Sequence, residues 1–386
     1  MTAKLARTGA LSAMALCAAL SAPLHALPGA ETRVHEKTAA PKAPHTAKGQ
    51  AVPLKGSRIE LVNTLNASNV AFARLQGAHL FLMRGHESGK PSGGETWGGF
   101  WFCLRPDPRS PSLISDRLPP AWDVAVSGKH AVVCDYTRTL SVYEMGERSW
   151  QPVARLEMPS MTENIIIRGN LAFIANHAAG LTIVDISKPR SPAILANFNP
   201  RIDCDALGLW KDCAVLYGHW ESRLVLVDVS NPVKPRQTSV FQYAGKFNQG
   251  EMTVEDGLAY CTSVEGLVVV DVGDAFNPRL VSVVKEMGET RDVAMQDGYA
   301  FVSAAKGIFA LDVSQPDSPV VAGSYPQGGC RELAVVRIHS PVGRKTDAIL
   351  SRPGAGSEYL IYVTGAKPSI LVFHAPVRAK THPAAK

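Results

Sequence analysis

LTIVDISKPRSPAILANF, residues 181–198, is the stretch that decides the fold. Four apolar or β-branched residues run into Asp185, a Ser-Lys-Pro turn follows, and a second short run opens behind Pro192. Runs of this length and composition, bounded by turn formers, read as strands. The same text recurs as LSVYEMGERSWQPVARL (140–156), LVLVDVSNPVKPRQTSVF (224–241), LVVVDVGDAFNPRLVSVV (267–284) and IFALDVSQPDSPVVAGSY (308–325). Its acid falls at Glu144, Asp185, Asp228, Asp271 and Asp312, spaced 41, 43, 43 and 41 residues apart. More distant copies flank these five. FWFCLRPDPRSPSLI (100–114) repeats Pro-Arg-Ser-Pro but has Leu104 in place of the acid, and SILVFHAP (369–376) has none.

Each copy is the second half of a longer unit. Upstream lies a short apolar run opened by one polar residue, as at Asp123-Val124-Ala125-Val126 and Asn164-Ile165-Ile166-Ile167. A Gly- or Asp-containing turn leads to a second run, as at Leu171-Ala172-Phe173-Ile174. The acid-bearing run is the third, and a proline-led run is the fourth, which suits an outer edge where a missing N–H costs little. Four strands at a period near 41 residues make a propeller blade. The last unit has only three runs, and an orphan strand, Arg58 to Asn63, precedes the first. Pairing the two would leave no open edge. The expectation is an all-β, seven-bladed β-propeller of four-stranded blades, closed by an N-terminal strand completing the last blade. The 32 glycines and 27 prolines supply the many turns this needs.

The Leu-Thr-Ile-Val-Asp and Leu-Val-Leu-Val-Asp motifs, with Ser-x-Pro behind the Asp, resemble the LVIVD repeat, a β-propeller repeat of exported and surface bacterial and archaeal proteins. The resemblance covers roughly residues 69–376 and departs at Leu104 and at the seventh copy. It implies architecture and export, and brings no catalytic residue with it.

The chain divides as 1–26, a signal peptide (Lys4 and Arg7, then the apolar run Leu11 to Leu20); 27–57, a flexible linker; 58–376, the propeller; and 377–386, a basic tail. Leu16 before Cys17 argues against lipidation. A periplasmic or secreted protein is expected, with no membrane span. The net charge of +6 sits at the ends: +2 on 1–26, +3 on 27–57 and +3 on 377–386, against −2 on 58–376. A basic nucleic-acid-binding face is therefore excluded. The six cysteines left after signal removal read as free thiols, three of them (Cys103, Cys134, Cys261) inside strands.

The motif acids recur in every central blade, so they read as turn-capping groups. The polar residues opening the first strands, Asn69, Asp123, Asn164, Asp205, Glu251, Asp292 and Glu332, should ring one mouth of the central channel. There they either hold a divalent cation through Asp123, Asp205, Glu251, Asp292 and Glu332 or satisfy backbone groups of the neighbouring blade. The loops between second and third strands emerge at the same mouth and carry His86, Tyr136, His177, His219 and Trp220. With Trp97, Trp122, Arg291 and Arg331 these are the candidate ligand-binding residues. No C-x-x-C, H-E-x-x-H, P-loop or G-x-S-x-G motif is present. The reading is an exported, monomeric, non-catalytic scaffold, with no required cofactor, binding a protein, a small ligand or a glycan (through Trp97, Trp122 and Trp220) on this face. The alternative is a metal-assisted hydrolase or lyase using the ring acids and loop histidines.

Overall fold

Strand-forming runs at a period near 41 residues become seven separate four-stranded antiparallel sheets. The computed structural model describes residues 57–65, 67, 70–84, 98–119, 121–135, 137–147, 149–327, 329–338, 357–365 and 368–375. All lie within one compact unit, Pro44–Lys386. The expected signal peptide, the expected linker up to residue 56 and the expected tail lie outside the described residues.

From inner to outer strand, blade 1 is Val70–Gln76, His79–Arg84, Gly99–Cys103 and Ser112–Ser115. Blade 2 is Asp123–Ser127, His130–Cys134, Thr139–Met145 and Trp150–Glu157. Blade 3 is Asn164–Arg168, Leu171–Ala175, Leu181–Asp185 and Ala193–Phe198. Blade 4 is Ala206–Trp210, Cys213–Gly218, Arg223–Asp228 and Arg236–Gln242. Blade 5 is Phe247–Glu255, Leu258–Ser263, Leu267–Asp271 and Arg279–Val284. Blade 6 is Thr290–Gln296, Tyr299–Ala304, Gly307–Asp312 and Val320–Tyr325. Blade 7 is Leu333–Ile338, Glu358–Val363 and Ser369–His374, completed by Arg58–Thr64. That last strand is the expected clasp: Ile59 pairs Phe373 and Leu61 pairs Leu371. It is mostly exposed, but Ile59 is buried between blades 6 and 7.

Every gap between neighbouring blades holds its own apolar cluster, seven in all. Between blades 3 and 4, for example, Leu181 and Ile183 meet Leu216 and Val225, all at most 1% exposed. Burying a side chain of this size stabilises by about 1.5–3 kcal/mol, and neither blade could bury it alone. The motif acids cap turns as expected. The main-chain N–H groups of Ser187, Ser230, Gly273 and Ser314 donate to Asp185, Asp228, Asp271 and Asp312 at 2.8–3.0 Å. Glu144 instead pairs with Lys129 and Arg190. The inner hairpins turn tightly. Asp256-Gly257 takes φ of +50° and +78°, the paired left-handed values of a turn that matches strand twist. The six described cysteines, Cys103, Cys134, Cys204, Cys213, Cys261 and Cys330, are free.

Strand register revises the expected ring at two blades. Counting back from each inner hairpin, Asp123, Asn164, Glu251 and Asp292 occupy equivalent positions. In blade 4 that position belongs to Ala206, paired with Tyr217, so Asp205 lies one residue outside it. In blade 1 it belongs to Phe72, and Asn69 lies outside the described residues. Both misplacements come from counting to the nearest polar residue where the blade has an apolar one.

Candidate functional site at the channel mouth

Four ring residues act across blade boundaries. Asp123 accepts hydrogen bonds from the main-chain N–H of Ile165 and from Asn164 Nδ2, both at 2.9 Å. Asn164 Oδ1 in turn accepts from Leu207 N (3.2 Å), Asp292 from Leu333 N (2.7 Å) and Glu332 from Ala73 N (3.2 Å). Each ring side chain thus braces the inner strand of the next blade.

Arg74, in the inner strand of blade 1, gathers three of the acids. Its Nε lies 2.5 Å from Asp123, Nη1 2.9 Å from Glu332, and Nη2 3.2 Å from Glu251. Burial alone would lower the guanidinium's pKa, but Asp123, Glu332 and Glu251 outweigh it and hold it above its ordinary value. One cation among four acids leaves the carboxyls short of charge compensation. Burial, opposed by Arg74 and reinforced by Asp292 and Asp123, pushes Glu251 up to about 7. Burial likewise raises Glu332 and Asp292.

Cavities open on the channel among the described residues. One, of about 710 Å³, is lined by Arg74, Asp123, Glu251, Asp292 and apolar inner-strand residues such as Leu209 and Val254. Another, of about 520 Å³, opens at the mouth and is lined by Phe72, Trp122, Glu163, Asp205, Asn248, Gln249, Gly250, Glu251, Glu289, Arg291, Arg331 and Glu332. Its rim is shaped by a bulge in the first strand of blade 5, between Phe247 and Met252. A Cβ at Gly250 would collide with the carbonyl oxygen of Arg291, so only glycine lets the bulge approach blade 6 so closely. Asn248 Nδ2 ties it down by donating to Glu289 (3.0 Å) and to the Thr290 carbonyl (2.9 Å). Trp122 packs on Phe72, with ring centroids 4.3 Å apart.

The histidines of blades 3 and 4 stand on the acidic side of this mouth. His177 sits at φ +43°, in a loop anchored by the buried Asn176. Asn176 Nδ2 donates to the carbonyls of Ser160 (2.6 Å) and Met161 (2.9 Å), and an isolated bridge joins His177 to Cys204. The imidazole lies between two acids, Nε2 3.7 Å from Glu163 and Nδ1 3.6 Å from Asp203. His219 Nδ1 is 2.5 Å from Asp205 Oδ2, which also accepts the main-chain N–H of His219 at 3.1 Å. Trp220, 64% exposed, covers the His219 ring at 4.6 Å. Burial, together with Asp205, Glu251 and Asp203, pushes the Glu163 carboxyl up to about 9. Glu163, His177 and Asp205 each offer a ligand atom within 4.8 Å of the others.

The structure therefore brings Trp122, Asp205, Glu251, Arg291, Arg331 and Glu332 to one cavity, while Asp123 and Asp292 line the other. It sets His177 and His219 behind the cavity's acids and leaves Trp220 outside it. His86, Trp97 and Tyr136 lie outside the described residues. Three residues escaped the sequence reading. A charge inside the apolar run of blade 1 could have flagged Arg74; Glu163, one residue before Asn164, and Asp203, two before Asp205, read as loop.

A closed ring of seven four-stranded blades with a ligand-sized cavity at the channel mouth defines the β-propeller class. Residues 120–142, 159–199, 218–242 and 287–327 match the family described as the LVIVD repeat, and the chain is an LVIVD-repeat β-propeller. The copy at 267–284 falls outside the matched ranges, although its strands hold the same register. No curated protein matches the chain. Solved structures similar to it include a periplasmic gluconolactonase of Pseudomonas aeruginosa (14% identity, TM-score 0.58, covering 69% of this chain and 88% of that one). The WD40 domain of Toxoplasma gondii coronin (10%, 0.54, 86% and 87%) and the computationally designed Ika8 protein (10%, 0.53, 79% and 83%) are similar too. At these identities the likeness is one of fold.

Proposed function

We propose that this protein is an exported, non-catalytic binding propeller that takes a small zwitterionic or carboxylate-bearing molecule in the mouth cavity. One observation carries the reading. The 520 Å³ cavity sets Arg291 and Arg331, from blades 6 and 7, across the ring from Glu163 and Asp205, from blades 3 and 4, with Trp122 on its wall. A cavity of this size with convergent charges of both signs and one aromatic wall suits a small polar ligand. Arginine is the side chain best matched to a carboxylate. Export rests on Lys4, Arg7 and the apolar run behind them.

The test is calorimetric titration of the full chain with a panel of amino acids, sugar acids and dicarboxylates. At least one should bind, and Arg331→Gln should weaken it by at least 10-fold while leaving the melting temperature unchanged. Failure of the whole panel, or turnover of a bound compound, would overturn the reading.

A further inference from the structure

The acids of the mouth fall into two groups with different counter-charges. Asp123, Glu251 and Glu332 share Arg74. Glu163, Asp203 and Asp205 have only imidazoles: among the described residues their ion pairs run to His177 and His219. Three carboxyl groups crowd around two imidazoles, and Glu163 among them is only 8% exposed.

The groups are also layered as a metal site requires. His177 turns Nε2 toward Glu163 and Nδ1 toward Asp203. Asp203, 3.6 Å behind Nδ1, is placed to accept its proton on a small side-chain shift, the tautomer that leaves Nε2 free to ligate. Asp205 is held through Oδ2 by the His219 ring and main chain, and its side chain also meets the Glu163 carboxyl. The loop itself is pre-set, since His177 occupies a left-handed conformation and is pinned by Asn176 and the bridge to Cys204.

We propose that Glu163, His177 and Asp205 bind one divalent first-row transition-metal ion, zinc or a close relative, with Asp203 and His219 as the outer groups that orient the ligands. The ligand atoms now lie within 4.8 Å of one another. An ion about 2.1 Å from each would bring them to roughly 3.4 Å, a contraction that side-chain rotation supplies. One imidazole with two carboxylates favours such an ion over calcium or magnesium, which prefer oxygen alone. Glu163 and Asp205 also line the mouth cavity, so the ion's remaining coordination positions face it. The site goes beyond the ligand reading and does not depend on Arg291 or Arg331.

The experiment uses the full chain, stripped with chelator, dialysed against zinc alone and assayed by metal analysis and calorimetry. One zinc per chain is expected. His177→Asn, a residue that tolerates the left-handed backbone, and Glu163→Gln should each weaken binding at least 100-fold. Asp203→Asn should weaken it 10- to 100-fold without moving the melting temperature of the metal-free protein. His130→Gln, on the far hairpin of blade 2, should change nothing. Failure of the wild-type chain to retain zinc, or retention at unchanged affinity by both folded variants His177→Asn and Glu163→Gln, overturns the site. Because no organic ligand is used, either result leaves the carboxylate-binding reading to stand or fall separately.

Discussion

Asp123 has four donors within reach: Arg74 Nε, its own neighbour Val124 N, Asn164 Nδ2 and Ile165 N. It is 1% exposed, so none of those groups can turn to water if it is removed. Asp123→Ala should therefore cost about 3–5 kcal/mol, the range for stripping one partner from a buried charged network. The urea midpoint should fall accordingly; a shift equivalent to under 1 kcal/mol would show the bracing to be dispensable. Asp228→Ala, which removes one turn bond at a half-exposed position, should cost much less in the same assay. The two aspartates look alike in composition. The second is legible from its motif, Asp followed by Ser-x-Pro, because the turn bond closes within two residues. The partners of the first come from blades 1 and 3, which no local pattern records.

At the scale of the element, the strands and their order could be read because each run carries its own period and its own turn formers. Register could not be read everywhere. Asp205 stands beside the expected ring, yet pairing gives its position to Ala206, and the blade 1 position to Phe72. A one-residue slip is invisible in a run that is apolar on both faces, where alternation gives no marker. The closing strand Arg58–Thr64 offers the sharpest test. It pairs through Ile59, Glu60 and Leu61 with Phe373, Val372 and Leu371, and packs one side chain, Ile59, between blades. Ile59→Ala should cost about 2–5 kcal/mol. A chain starting at residue 65 should expose the edge of Ser369–His374 and self-associate by light scattering. A truncated chain that stays monodisperse and equally stable would refute the clasp.

The whole molecule enters through Arg74, whose guanidinium joins acids of blades 2, 5 and 7 from a strand of blade 1. This hub makes a pH prediction. Burial raises Glu251 to about 7 from an ordinary 4.5, so the folded state holds its proton more tightly than the unfolded chain. The stability this contributes is complete below about pH 4.5 and is lost as pH rises through about 7. Between pH 5 and 8 the melting temperature of the wild-type chain should therefore fall relative to that of Glu251→Gln, which mimics the protonated form at every pH. Parallel profiles for the two proteins would show that Glu251 does not titrate in that interval. The charge distribution is also a whole-chain property. The terminal stretches carry +8 and the propeller segment −2, which together make the net +6.

The sequence by itself determined the number of blades, the strands within them, the capping role of the motif aspartates and the means of closure. Each of these follows from short-range pattern repeated at a fixed period, so seven copies reinforce a single reading. Only the tertiary structure decided which side chains meet. Arg74, Asp123, Glu251 and Glu332 come from four blades, and His177 and Glu163 of blade 3 meet Asp205 of blade 4. Their proximity depends on the radius and register of a closed ring, quantities that no interval along the chain encodes. The residues that break the repeat are the ones a site is built from, and their meeting is a product of closure.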